Sequence, residues 1–208
     1  DAPDFPDLTT RRCCADHLEE QLFPTTTLGT TFVAVLTAGR TAALKGAGAT
    51  ITPHQESEFF RLLAAGESTA VTTSLPPPND SLTVGSGRFA QLKVTQDFTI
   101  KATGPLVVGQ FMPGQEEAGI PSTLPGGDPS FILLPPVEQW RKDYLFLTPD
   151  KYAFDFIAVA APRGARITLD GRQLVEGRVA GPGRKMTCER RPIGKLLRPG
   201  DKVETDFD

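Results

Sequence analysis

Displaced by 112 positions and with no gap, residues 16–33 lie on residues 128–145. The match sets Asp16 on Asp128, Leu22 on Leu134, Pro24 on Pro136, Leu28 on Trp140, Phe32 on Tyr144 and Val33 on Leu145. After a loop that is sixteen residues longer in the first copy, residues 60–72 lie on residues 156–168. Blocks that recur in a fixed order mark an internal repeat. The spacing therefore predicts a fold that is built twice, from two related units.

The blocks read as strands. Residues 31–37 (Thr-Phe-Val-Ala-Val-Leu-Thr) are β-branched and aromatic, the side chains that suit a pleated, half-buried surface. Residues 58–64, 69–75, 82–84, 89–94, 98–102 and 106–111 continue the first unit as short strands between Gly, Pro and Asn/Asp turns. Pro76-Pro77-Pro78 ends one of them, because prolines supply no ladder donors, and Gly104-Pro105 separates the last two. Residues 38–57, small and polar, predict a long loop, and residues 15–21 an extended segment rather than a helix, since Pro24 follows. In the second unit, alternation on both sides of Asp170-Gly171 predicts a tight hairpin over residues 166–174, because a type I′ turn needs positive φ at both central positions.

The predicted fold class is all-β: two related antiparallel β units packed as sandwich or blade-like sheets. Residues 1–14 form an N-terminal arm, 15–111 the first β unit, 112–127 a Pro/Gly linker and 128–208 the second β unit. In this alignment the counterparts of 98–102 and 106–111 fall beyond Asp208, so the second unit is expected to be incomplete at its C-terminus. A continuation of the polypeptide, or strand exchange with a neighbouring chain, would supply the absent strands and cover the edge.

Three cysteines bear on the compartment. Cys13 and Cys14 are adjacent and seldom bridge each other, which makes Cys188 the natural partner of one of them and an exported protein the natural setting. Which of the two pairs is left open. No run approaches the roughly 18 apolar residues of a transmembrane helix, and an exported protein beginning Asp1-Ala2-Pro3-Asp4 would already have lost its signal.

The phrases Asp16-His17-Leu18-Glu19-Glu20-Gln21-Leu22, Gly127-Asp128-Pro129-Ser130-Phe131 and Leu134-Pro135-Pro136-Val137-Glu138-Gln139-Trp140 resemble the signatures of the IgGFc-binding protein N-terminal domain family. The resemblance covers roughly residues 13–175, and the paired cysteines before Asp16-His17-Leu18 are similar to bacterial members. It implies an extracellular, non-enzymatic adhesion or structural assembly module of a bacterial surface protein. Partners would be a protein or glycan at a cell surface. It carries no ligand site over to individual residues.

The residues themselves exclude several chemistries. No Gly-x-Ser-x-Gly, His-Glu-x-x-His, phosphate loop or dinucleotide fingerprint occurs, and two histidines with no Cys-x-x-Cys leave no usual zinc set, so no cofactor is expected. Asp16, His17, Glu19 and Glu20 alternate between the two faces of an extended segment and serve hydrogen bonding at the joint rather than catalysis. The chain carries a net charge of −3, yet residues 178–202 hold eight cations against Glu189 and Asp201. Arg184, Lys185, Arg190, Arg191, Lys195, Arg198 and Lys202 thus form a possible surface for an anionic partner. Nucleic acid is not expected there, because no aromatic side chain interleaves them. Trp140, Tyr144 and Phe146 read as core rather than as a carbohydrate platform. The alternatives to adhesion are a carbohydrate-binding module and a glycan hydrolase, which would need a pair of convergent carboxylates.

Overall fold

The computed structural model describes residues 16–146, 156–162, 165–169 and 171–173, together with the backbone of strands at 178–180, 186–192 and 202–205. Strand β1 (Gly29–Ala34) leads to a short helix α1 (Arg40–Gly46), then β2 (Glu58–Ala64), β3 (Thr69–Thr73), β4 (Ser81–Val84), β5 (Phe89–Val94), β6 (Phe98–Met112) and β7 (Ser130–Leu133). These form one seven-stranded antiparallel sheet ordered β4-β3-β6-β2-β5, with β1 and β7 also on β6.

The organiser of that sheet is β6, a single strand of 15 residues where the sequence predicts two. Its first half is flanked by β1 and β3, its second by β2 and β7. Gly104-Pro105 does not break it. The Pro105 carbonyl accepts from the Ala65 N–H at 3.2 Å, and a Cβ at Gly104 would lie 2.9 Å from the Thr69 hydroxyl oxygen. Even-numbered residues of both halves point to one core, so Phe98, Ile100, Leu106 and Val108 meet Phe32, Phe60, Leu62, Val71 and Leu92. Phe60 and Phe98 meet edge to face, with centroids 5.0 Å apart.

Three further expectations of the first unit are corrected. Residues 38–57 hold α1, fastened because the Arg40 side chain and the Thr41 N–H both donate to the Glu56 carboxylate. Residues 112–127, read as a linker, begin with the last residue of β6 and then pack: Ala118 and Ile120 are buried, and Gln115 accepts from the Gly126 N–H. Ser130–Leu133, read as the opening of the second unit, is the strand that pairs with the end of β6. By contrast residues 16–24 carry no regular structure.

Beyond β7 lie β8 (Asp143–Leu145), β9 (Phe156–Pro162), β10 (Ile167–Leu169), β11 (Arg172–Gln173), β12 (Arg178–Ala180), β13 (Met186–Pro192) and β14 (Lys202–Thr205). One sheet runs β11-β10-β14-β8 and another β12-β13-β9. The predicted hairpin is present: Leu169 opposes Arg172, and Gly171 has φ +73°, while Asp170 lies outside the described residues. The order β11-β10-β14-β8 parallels β4-β3-β6-β1, and Tyr144 opposes Val203 as Phe32 opposes Ile100. Lys202–Thr205 thus stands between β8 and β10 as the first half of β6 stands between β1 and β3. Of the two counterparts expected beyond Asp208, that of residues 98–102 is present as β14, and none for residues 106–111 is found among the described residues.

Local geometry also recurs. Pro24 (φ −54°, ψ 143°) and Pro136 (φ −66°, ψ 155°) each open a 3-10 turn, at Thr25–Thr27 and Val137–Gln139, closed by extended Leu28 and Trp140. Other matched pairs sit in unlike settings. Phe32 is 1% exposed and Tyr144 42%, while Leu22 is 53% exposed and Leu134 packs on the core. In β9 the buried alanine is Ala161, not Ala160 as the match to Ala64 implies.

Candidate functional site

The strands that bury Phe60, Leu62, Leu92 and Val108 carry a second set of side chains outward, since successive residues point to opposite faces. Their register fixes what meets there. One row across β5, β2, β6 and β7 reads Lys93, Phe59, Phe111 and Phe131. The next reads Gln91, Arg61, Gly109 and Leu133, and the one below Phe89, Leu63 and Val107. An outer sheet face is ordinarily polar; here Phe59, Phe89, Phe111 and Phe131, with Leu63, make it apolar and largely aromatic.

The side chains on this face are held by one another. Phe111 and Phe131 stack with centroids 4.3 Å apart and planes 3° from parallel. Gly109 makes room for that stack, because a Cβ there would lie 2.8 Å from the Phe131 ring. The Arg61 guanidinium lies 5.2 Å from the Phe89 centroid and 5.0 Å from that of Phe111, and its Nε–H donates to Gln91 at 2.9 Å. Lys93 lies over Phe59 at 5.3 Å and is ion-paired to Glu117 at 2.6 Å. Phe89 is 59% exposed although it is a full aromatic ring. Contiguous exposed apolar side chains rimmed by polar ones mark interaction surfaces, and aromatic residues with Arg are what protein interfaces enrich.

The turn that follows β7, the far edge of the face, is fastened to β1 by Glu138. The register of β1 shifts between Gly29 and Thr31, and the amides freed there turn to Glu138. The Thr30 N–H (3.0 Å), the Thr30 hydroxyl (3.0 Å) and the Thr31 N–H (3.2 Å) all donate to one carboxylate oxygen. Burial pushes the carboxyl's pKa up, but hydrogen bonds from the Thr30 N–H, its own N–H, the Thr30 hydroxyl and the Thr31 N–H together hold it below the usual carboxylate value. Gly29 is required at the contact, since a Cβ would lie 2.5 Å from that of Pro136.

A cavity of about 410 Å³ lies where the first sheet meets β8 and β9, lined by Val33, Val35, Leu134, Trp140, Tyr144 and Val159 among others. Trp140 and Tyr144 therefore line a cavity instead of forming an outer platform. Its polar lining is satisfied internally: the Gln110 amide donates to the Val35 carbonyl (2.8 Å) and to Glu58 (2.6 Å), whose carboxylate also accepts from the Thr37 N–H (2.7 Å). No carboxylate lines this cavity among the described residues, so it offers an apolar wall and no acid/base pair.

The residues singled out from sequence do not assemble into a site. Asp16 accepts from the neighbouring His17 N–H, and His17 contacts Glu19 at 3.2 Å with both side chains more than four-fifths exposed. The expected hydrogen bonding at a joint is replaced by local contacts, and the joint is served by Glu138. Among the described residues no group of three His, Cys, Asp or Glu is placed to hold a metal ion. Cys13, Cys14, Arg184, Lys185, Lys195 and Arg198 lie outside the described residues, and Cys188, Arg190, Arg191 and Lys202 are placed by backbone alone on β13 and β14. The face centred on Arg61 was not singled out. Its signal was the apolar residue at the outer positions of strands whose inner positions are also apolar.

The model of one protein family, described as IgGFc binding protein, matches residues 5–193, most of the chain. Neither a curated protein nor a solved structure matches it. Among the described residues no helix is long and apolar enough to cross a membrane.

Proposed function

The chain belongs to the IgGFc binding protein family, and on that premise we propose that it is a non-enzymatic module that binds other proteins outside the cell, as an adhesive or structural part of a bacterial surface protein. The observation that carries the reading is the outer face of β5, β2, β6 and β7, where exposed Phe89 and Arg61 and half-buried Phe111 and Phe131 form an aromatic and cationic patch. On β5, β2 and β6 the patch uses odd-numbered residues while even-numbered ones weld the core, so a partner can dock without disturbing the fold. The chain is built from two related units, and a disulfide from Cys188 to Cys13 or Cys14 would suit an extracellular site. The basic stretch from Arg184 to Lys202 would suit an anionic partner.

The test uses the full chain immobilised for biolayer interferometry against a panel of purified extracellular proteins that includes IgG Fc. Binding to a panel member that Phe89→Ser with Phe131→Ser abolishes, and that Lys101→Ser on the other half of the sheet leaves intact, supports the proposal. Binding indifferent to the double substitution, or confined to glycans, overturns the placement of the site.

A further inference from the structure

Arg61 stands in the centre of the face, and its setting says what a partner must bring. Lys93 already has its counter-ion in Glu117 at 2.6 Å. No carboxylate is ion-paired with Arg61 among the described residues. The guanidinium is nonetheless held in a fixed pose: Phe89 and Phe111 lie 5.2 and 5.0 Å away and Gln91 takes the Nε–H at 2.9 Å. Cation–π contacts and one hydrogen bond orient the group without neutralising it. Its terminal nitrogens are left for an incoming acceptor. A planar fork so held matches a carboxylate through two parallel hydrogen bonds, and holding it in advance removes the rotamer entropy an exposed arginine would lose on binding.

The neighbour of Arg61 in register is Gly109, which has no side chain. The space over Gly109 is filled by the Phe111–Phe131 stack, which thereby forms a wall beside the guanidinium. We propose that Arg61 is the anchor of the docking face and receives an Asp or Glu side chain of the partner protein, whose adjacent apolar residue lies on Phe89. This rests on the reading that the face binds protein. A carboxylated sugar would also meet the fork, but Phe89 at 59% exposure asks for an apolar companion beside the acid, which a peptide supplies.

The experiment selects a random-peptide display library on the immobilised full chain and measures the selected peptides by fluorescence polarisation. Peptides with Asp or Glu next to an aromatic or aliphatic residue should be enriched. Their affinity should fall about tenfold or more for Arg61→Gln, as for a central interface arginine, and also for Arg61→Lys, which keeps the charge and loses the fork. Exchanging Glu for Gln in the peptide should produce the same loss, an outcome that does not depend on how any protein variant folds. Raising the salt should weaken the contact. Peptides that lose binding with Phe89→Ser but not with Arg61→Gln would leave the docking face standing and overturn the carboxylate anchor. Peptides indifferent to both, or an oligoglucuronate probe that binds at Arg61 where no peptide does, would overturn the inference altogether.

Discussion

Replacing Glu138 by alanine removes the acceptor of the Thr30 N–H, the Thr30 hydroxyl and the Thr31 N–H at 3.0, 3.0 and 3.2 Å. A buried hydrogen bond to a charged group is worth about 1.5–3 kcal/mol, but Glu138 is largely exposed, and surface pairs contribute nearer about 0.5 kcal/mol each. Three such bonds give a loss of about 1–2 kcal/mol, which for a chain of this size is a fall in Tm of about 2–8 °C. Glu138→Gln keeps one acceptor oxygen and should lose about half as much. The pH dependence separates charge from shape. The folded carboxyl has a pKa lowered from 4.5, so its contribution is present above the unfolded value and disappears as pH falls through the folded one. Thermal unfolding followed by circular dichroism at pH 7 and at ~pH 2.5 should show the wild type exceeding Glu138→Gln at the first and matching it at the second. A deficit that persists in acid would mean that the negative charge is not what holds β1 to the turn after Pro136.

The remaining predictions concern packing. Gly29→Ala places a Cβ 2.5 Å from Pro136 and 2.6 Å from Glu138 Oε2, and should lower stability by about 1–3 kcal/mol, as overpacking does; combined with Glu138→Ala the losses should fall short of additive, because both act on one contact. Phe60→Ala empties a fully buried site against Phe98 and should cost about 3–5 kcal/mol in urea unfolding. A cost below about 1 kcal/mol would mean that the two halves of β6 do not share a core.

Where one strand carries its whole pattern, the sequence was enough to read it. The strands at residues 58–64 and 89–94 coincide with β2 and β5, because alternation in burial is set by the strand's own period. Gly104-Pro105 looked like a break because both residues end strands in isolation; in the fold it lies where β6 passes from one pair of neighbours to another. Ser130–Leu133 was read as the opening of the second unit, because its partner is a matter of pairing, which no local pattern encodes. The candidate site was hidden for the same reason. The basic stretch after Arg178 is dense in charge and visible in one dimension, whereas Arg61 is a lone cation between Phe60 and Leu62. Its neighbours Gln91, Phe111 and Gly109 come from two other strands.

The placement of that arginine follows from the strand that holds it. In β2 the even positions Glu58, Phe60, Leu62 and Ala64 are all buried, so they fix the register against β5 and β6. A slip of one residue would carry Arg61 into the core and Phe60 into water, and burying an unpaired guanidinium is costly enough to exclude it. The register that the core enforces is also the one that sets Arg61 beside Gln91 and Gly109, with Phe89 and Phe111 diagonal to it. The docking face is therefore as rigid as the core beneath it. Substitutions at the exposed odd positions Arg61, Phe89 and Gln91 should alter binding at nearly constant stability, while those at the buried even positions of β2, β5 and β6 should alter both, and thermal unfolding paired with the peptide affinities distinguishes the two classes.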